Sequence, residues 1–271
     1  MKMECAIMST EPSIVFSHVS RHFLRDGGAN NTAAIADLDF QINAGEHVSV
    51  VGRTGCGKST SVNLLLGLLP VSSGKVRVLG VDPFHDFQHL RGRIGCVFQS
   101  DRLLPWRSAI DNVLMPLEIL RTRNKAADDT AAELLARVGL ASHEHAFPHQ
   151  LSGGMRQRVA FARALITQPD ILIADEAFGH LDEVTAGALR SDFIQIARAR
   201  GQTVYQITHS LDEALDVSDR VLVFDRPGKV AGAFARQQWE NSPDDRVRVR
   251  QFLRDLIAGG DAVSPGLQES E

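Results

Sequence analysis

Residues 52–59 read Gly-Arg-Thr-Gly-Cys-Gly-Lys-Ser, a match to G-x-x-x-x-G-K-[ST]. Each residue type in that spacing has a job in binding a nucleoside triphosphate. The glycines let backbone N–H groups converge on phosphate oxygens, and a helix beginning near Lys58 adds the positive end of its dipole. Lys58 can reach the β and γ phosphates, and the Ser59 hydroxyl can ligate Mg²⁺. Gly52, Arg53, Thr54, Gly55, Cys56, Gly57, Lys58, Ser59 and Thr60 are therefore the expected nucleotide-binding loop. Such a loop does not by itself choose between a kinase, a GTPase, a motor and a transporter ATPase.

Two further segments carry charge chemistry. Leu151-Ser-Gly-Gly-Met-Arg-Gln-Arg158 precedes a helical run, with Ser152 placed as N-cap and Gly153 and Gly154 leaving backbone donors uncovered. That is a second anion site, and one ATP has no need of two in a single chain. Ile171-Leu-Ile-Ala-Asp-Glu176 ends an apolar strand in two carboxylates. Alone, such a pair is more often a solvated strand end. Beside a phosphate loop, one anion can fix the metal and the other can sit near the attacking water.

The 151–158 segment resembles the signature motif of the ATP-binding cassette (ABC) family, with Met155 where glutamine is usual. The resemblance covers residues about 13 to 235. It implies that Asp175 binds Mg²⁺ through water and that Glu176 is the catalytic carboxylate. Gln99 matches the Q-loop glutamine, which meets metal and water and whose loop contacts a membrane subunit. His209 matches the switch histidine at the γ phosphate. Gly179-His-Leu-Asp182 matches the D-loop, where His180 departs from the commoner alanine. Phe23 is the candidate for stacking on adenine. The implied assembly is a head-to-tail dimer, of two copies or with a similar subunit, in which Ser152, Gly153 and Gly154 of one chain face the ATP bound by the other. Its implied partners are transmembrane permease subunits and, through them, a solute-binding protein, at the cytoplasmic face of the inner membrane. The runs Ser-Asp-Arg-Leu-Leu-Pro-Trp after Gln99 and Phe-Pro-His-Gln before Leu151 look like the branch importing nitrate, sulfonates, taurine or related small solutes. A soluble ABC ATPase acting on DNA or ribosomes is the alternative; it usually has a tandem cassette or a long coiled-coil insertion, neither of which is found here. A GTPase should carry an N-K-x-D motif, also not found.

The elements that must hold these residues are legible as well. Ser13–Phe16 and Leu38–Ile42 read as an antiparallel opening, the second by its alternation of Leu38, Phe40 and Ile42 with polar residues. His47–Val51 is nearly all apolar, as a strand buried on both faces would be. It feeds the phosphate loop and a helical run Thr60–Leu69. Val76–Leu79 and Ile94–Phe98 are short strands, and Ala126–Val138 reads as a helix that Gly139 ends. From 170 onward, Ile171–Ala174, Glu183–Ala199, Thr203–Ile207, Leu211–Val217 and Arg220–Phe224 alternate strand and helix. The expectation is an α/β protein. Its P-loop NTPase core has a mainly parallel sheet, with an N-terminal antiparallel β subdomain and an α-helical subdomain at about 100–165. The ATPase domain spans 13–240, and 241–271 is a polar tail whose last ten residues are expected to be poorly ordered.

Composition sets the remaining bounds. At 271 residues and 44% hydrophobic content the chain can bury a large core. Net charge is −4, which gives no overall pull toward nucleic acid or an anionic membrane. Cys5, Cys56 and Cys96 are too scattered for a disulfide framework or zinc site and suit a reducing compartment. No apolar run approaches the ~20 residues of a membrane-spanning helix, and the first ten residues do not read as a secretory signal. His143, His145 and His149 share no helix face and are not expected to bind metal. Cys56, beside Lys58 and a helix start, is expected to favour thiolate and to be alkylated unless MgATP protects it.

Overall fold

A computed structural model describes residues 11–23, 32–179 and 183–259, without the side chains of 183–185. Strands β1 (Pro12–Phe23) and β2 (Thr32–Asn43) pair antiparallel, Ile14 opposite Ile42 and Phe16 opposite Phe40. Leu38 and Ile42 are buried and Phe40 half-buried while Asp37, Asp39 and Gln41 face water, so the period of two is realised as burial over 37–42; a register shift between Ile35 and Leu38 lets Ile35 turn inward as well. Both strands run well beyond the apolar cores from which they were expected. β4 (Ser73–Val78) pairs antiparallel with the other edge of β1.

β3 (His47–Gly52) is buried from His47 through Val51 and lies in the middle of a parallel block. On one side it pairs with β8 (Arg220–Asp225); on the other it pairs with β7 (Thr203–Ile207). The block continues parallel through β6 (Ile171–Asp175) to β5 (Ile94–Val97). β9 (Lys229–Ala235) lies antiparallel to β8 and joins the block to the opening strands through one registered pair, Asp37 with Lys229. Among the described residues the strand order is β4-β1-β2-β9-β8-β3-β7-β6-β5. β9 was not foreseen: Val-Ala-Gly-Ala offers small, half-buried residues instead of an apolar stripe.

Helix α1 (Lys58–Leu65) follows β3, and it stops four residues short of Leu69. Gly67 explains the stop: it takes φ +66, and a Cβ there would lie 2.0 Å from the Pro83 carbonyl oxygen. The helical layer is α2 (Ala109–Leu120), α3 (Lys125–Arg137) and α4 (Gly153–Leu165). Val113, Leu114, Leu134, Leu135, Val159 and Phe161 form its core and pack on into Leu172 and Ala174 of β6. α5 (Glu183–Ala199) and α6 (Leu211–Val217) have the expected bounds. The expected tail differs: Pro243–Ala258 is a helix, α7, capped by Ser242 and closed by Gly259 at φ +81. Only two of its residues, Val249 and Leu253, are buried, so its apolar stripe is too thin to stand out in a polar sequence. Residues 260–271, with the ordering expected of them, lie outside the described residues.

Candidate functional site

The phosphate loop joins the buried end of β3 to the N-terminus of α1. Glycine is required at two of its positions. Gly52 has φ +153 and a Cβ there would meet the Phe224 carbonyl oxygen at 2.3 Å; Gly57, the N-cap of α1 at φ +96, would meet that of Ala34 at 2.7 Å. Lys58 is largely buried, and its Nζ donates to the carbonyls of Gly52 at 2.7 Å and Arg53 at 3.1 Å. The cation is thereby held across the loop at a helix N-terminus. Ser59 is exposed on the first turn of α1. The loop is also braced from outside: Arg226 donates to the Thr54 carbonyl, and Arg53 donates to the Ala258 carbonyl at the end of α7.

The Cys56 expectation does not hold. Its side chain is fully buried, and burial raises its thiol above the ordinary value, outweighing the charge of Lys58 that pulls the other way. Its sulfur would lie 2.8 Å from a Cβ at Gly52, so the residue fills the underside of the loop and presents no thiolate to solvent. Spacing in the sequence brings Lys58 near but does not report burial.

β6 lies two strands from β3 and delivers the carboxylates. Burial, and then the charge of Glu176, raise the Asp175 carboxyl, while Arg102 and Lys58 pull it down. Glu176 leaves the strand at φ +49, its N–H donating to the Ile207 carbonyl at 2.9 Å, so the chain turns away from the extended path directly after Asp175. A half-buried carboxylate raised by an adjacent one is a place where a divalent cation offsets charge. With Ser59 at the helix start, this donor set is all oxygen and suits Mg²⁺.

His209 follows β7, and its Nδ1 is 3.9 Å from Glu176 Oε2. A Cβ on Gly179 would lie 3.3 Å from the His209 ring. His180, Leu181 and Asp182 are outside the described residues. The histidine's backbone is fixed by a residue that sequence reasoning missed. Glu213 is buried and accepts from the Gln206 side chain and from Thr208 Oγ1 at 3.0 Å, while the Ser210 N–H donates to Thr208 Oγ1 at 3.0 Å. Burial raises the Glu213 carboxyl, opposed by the Thr208 hydroxyl. The sequence did offer a signal: Ser210-Leu-Asp-Glu213 fits a helix-start capping pattern, although that pattern does not say the carboxylate turns inward.

Gln99 is exposed, just past β5, and Ser152 caps α4 with Oγ 3.3 Å from the Met155 N–H. Gln99, Asp101, Gly153, Arg156, Gln157 and Ala177 line one cavity of about 270 Å³. The Q-loop position and the signature helix of one chain are thus neighbours, and no phosphate-loop residue lines the space between them. A cavity of about 870 Å³ lies instead at the opposite ends of the strands, among Arg77, Arg93, Asp170 and Gln202. Size does not mark the site here. Phe23 ends β1 and is exposed, with the Arg21 guanidinium 4.8 Å from its ring centroid, so the ring already has a cation on it. Among the described residues, no group of three or more His, Cys, Asp or Glu is arranged to hold a metal, the 143–149 histidines included.

A family model described as ABC transporter matches residues 35–179. The chain belongs to the ABC transporter family. Its fold is the ABC ATPase fold and its activity is ATP hydrolysis. It is 42% identical over 202 residues to the taurine import ATP-binding protein TauB of Rhizobium johnstonii, covering 74% of this chain and 76% of TauB. It is 39% identical over 257 residues to the methionine import ATP-binding protein MetN 2 of Paraburkholderia xenovorans, covering 92% of this chain and 66% of that one. Among solved structures, the dimeric post-hydrolysis state of the ATP-binding cassette MJ0796 bound to ADP and Pi superposes with a TM-score of 0.74 at 29% identity, over 82% of this chain and 98% of that one. The branch resemblance read from the flanks of Gln99 and Leu151 is met in TauB.

Proposed function

We propose that this ABC ATPase energises an importer of small solutes, docked through membrane permease subunits at the cytoplasmic face of the membrane and fed by a solute-binding protein. The observation that carries the site assignment is the meeting of three adjacent strand ends. β3 supplies the phosphate loop, β6 supplies Asp175 and Glu176, and β7 supplies His209 at 3.9 Å from Glu176. Lys58 and the α1 N-terminus bind the β and γ phosphates. Ser59 and Asp175, with Gln99, hold Mg²⁺, which when bound neutralises charge on the transferring phosphoryl group. Glu176 polarises the attacking water, and His209 contacts the γ phosphate from the opposite side of that carboxylate. Ser152, Gly153 and Gly154 of a second copy close the site, a head-to-tail arrangement supported by the dimeric state of MJ0796. Phe23 stacks on adenine in this reading, exchanging the Arg21 contact for the base.

Support for membrane docking comes from an apolar groove beside β5 and the C-terminal half of α2, lined by Phe87, Cys96, Met115, Ile119 and Leu120, and from Trp106, 70% exposed ahead of the same helix. No helix of the described residues is long and apolar enough to cross a membrane. For the solute, TauB and the flanking motifs favour taurine or a related sulfonate or nitrate. Methionine is the second reading, because MetN 2 matches over more of the chain.

The test is Glu176→Gln. It should cost about a thousandfold in turnover while MgATP still binds, since the amide keeps the shape and loses the charge that orients water. Turnover near that of the unmodified protein would mean the wrong carboxylate has been named.

A further inference from the structure

We infer that Gln157 is a positioning residue that couples the signature helix to both the Gln99 loop and the Glu176 segment. The inference rests on the assignment of Glu176 and Gln99 to catalysis. Gln157 lies on the second turn of α4 with its side chain 6% exposed. Its Nε2 donates to the Phe98 carbonyl at 3.1 Å and to the Ala177 carbonyl at 2.8 Å. Phe98 immediately precedes Gln99, and Ala177 immediately follows Glu176. Both partners are backbone carbonyls, which only accept, so the amide orientation is dictated by chemistry.

An amide nitrogen has two N–H groups and no charge, which suits one buried side chain serving two carbonyls. Other residues of α4 reinforce one half of this link. Arg156 Nε pairs with Asp101 Oδ2 at 2.9 Å, and Arg163 donates to the carbonyls of Asp101 at 2.6 Å and Arg102 at 2.8 Å. The loop after Gln99 therefore rides on α4 through three side chains. Of these, Gln157 is the one that also reaches past Glu176. A shift of α4 must drag the backbone next to the carboxylate or break a buried hydrogen bond. Closure of the signature onto a partner's nucleotide is thereby felt at both Gln99 and Glu176.

The test uses the full chain with Gln157→Met, which keeps volume and removes both donors, and Gln157→Glu, which sets a carboxylate against two carbonyls. Hydrolysis, equilibrium MgATP binding and thermal unfolding are measured beside Glu176→Gln. Both Gln157 variants should lose about tenfold or more in kcat, the glutamate more than the methionine, with nucleotide affinity within about twofold and unfolding temperature nearly kept. A Gln157→Met enzyme hydrolysing at the ordinary rate, with Glu176→Gln inactive, overturns the inference alone. Rate, affinity and unfolding temperature falling together in both variants, or neither variant folding, also overturns it by showing a packing role. Normal turnover in Glu176→Gln removes the site assignment, and the inference with it.

Discussion

His47 shows what one buried side chain does to the pH range in which this fold persists. It opens β3 at 1% exposure, and neither ring nitrogen has a partner of normal hydrogen-bond geometry. Burial first, and then the charge of Arg198, lower its pKa to about 4, with Arg236 adding to this and Asp219 opposing. Unfolded, the ring takes its proton near the ordinary 6.5. Between those values the unfolded chain binds a proton that the folded chain refuses, so stability falls as pH drops. The loss should reach about 2 kcal/mol by pH 5. Urea midpoints at pH 7.5 and pH 5 for the native chain and His47→Gln measure it: the variant should lose less on acidification, and an equal loss in both would rule His47 out. Asp219 contributes in a lower window. Burial raises it, but Arg198 and the His47 amide together hold it below its ordinary value. At this scale the sequence spoke clearly where a motif fixes both type and spacing, as in Gly52–Ser59. It was silent on Gln157 and misleading on Cys56, because neither inward orientation nor burial is written in spacing.

At the scale of elements, the strands and helices of the core were legible from apolar runs and periodicity, and α5, β7 and α6 fall at the expected residues. What escaped were elements whose stability comes from neighbours. β9 is carried by β8, and α7 by packing its Val249 and Leu253 against Val51, Val223, Phe234 and Trp239 from four other segments. Helix α7 therefore depends on a few contacts. Leu253 is fully buried, and Leu253→Ala should cost about 2–5 kcal/mol in urea unfolding. A cost under about 1 kcal/mol would mean α7 is not docked as described. Because the end of α7 accepts from Arg53, the same variant should also weaken MgATP binding, whereas an Ile173→Val change in the core, of similar burial, should leave affinity alone.

For the whole molecule, association has to come from local complementarity, since two copies each carry a net charge of −4. The Ser152–Gly154 helix start is exposed or half-buried in the single chain, and the proposed ligand for it is the triphosphate held by another copy. In a Glu176→Gln background, MgATP should raise the mass measured by light scattering to that of a dimer. Adding Ser152→Glu, which puts a carboxylate where phosphate is expected, should block this without preventing nucleotide binding. A dimer that forms equally well with that glutamate would remove the signature from the interface. Within each copy the sheet is not equally stitched throughout. β8 and β3 share five registered pairs, whereas β2 and β9 share one, Asp37 with Lys229, helped by the Ala36 N–H on the Gly228 carbonyl at 3.4 Å. The sheet is thus most thinly joined between β2 and β9, with Phe23 on one side of that seam and the phosphate loop on the other, so a nucleotide bound as proposed would tie the two sides together through its base and its triphosphate.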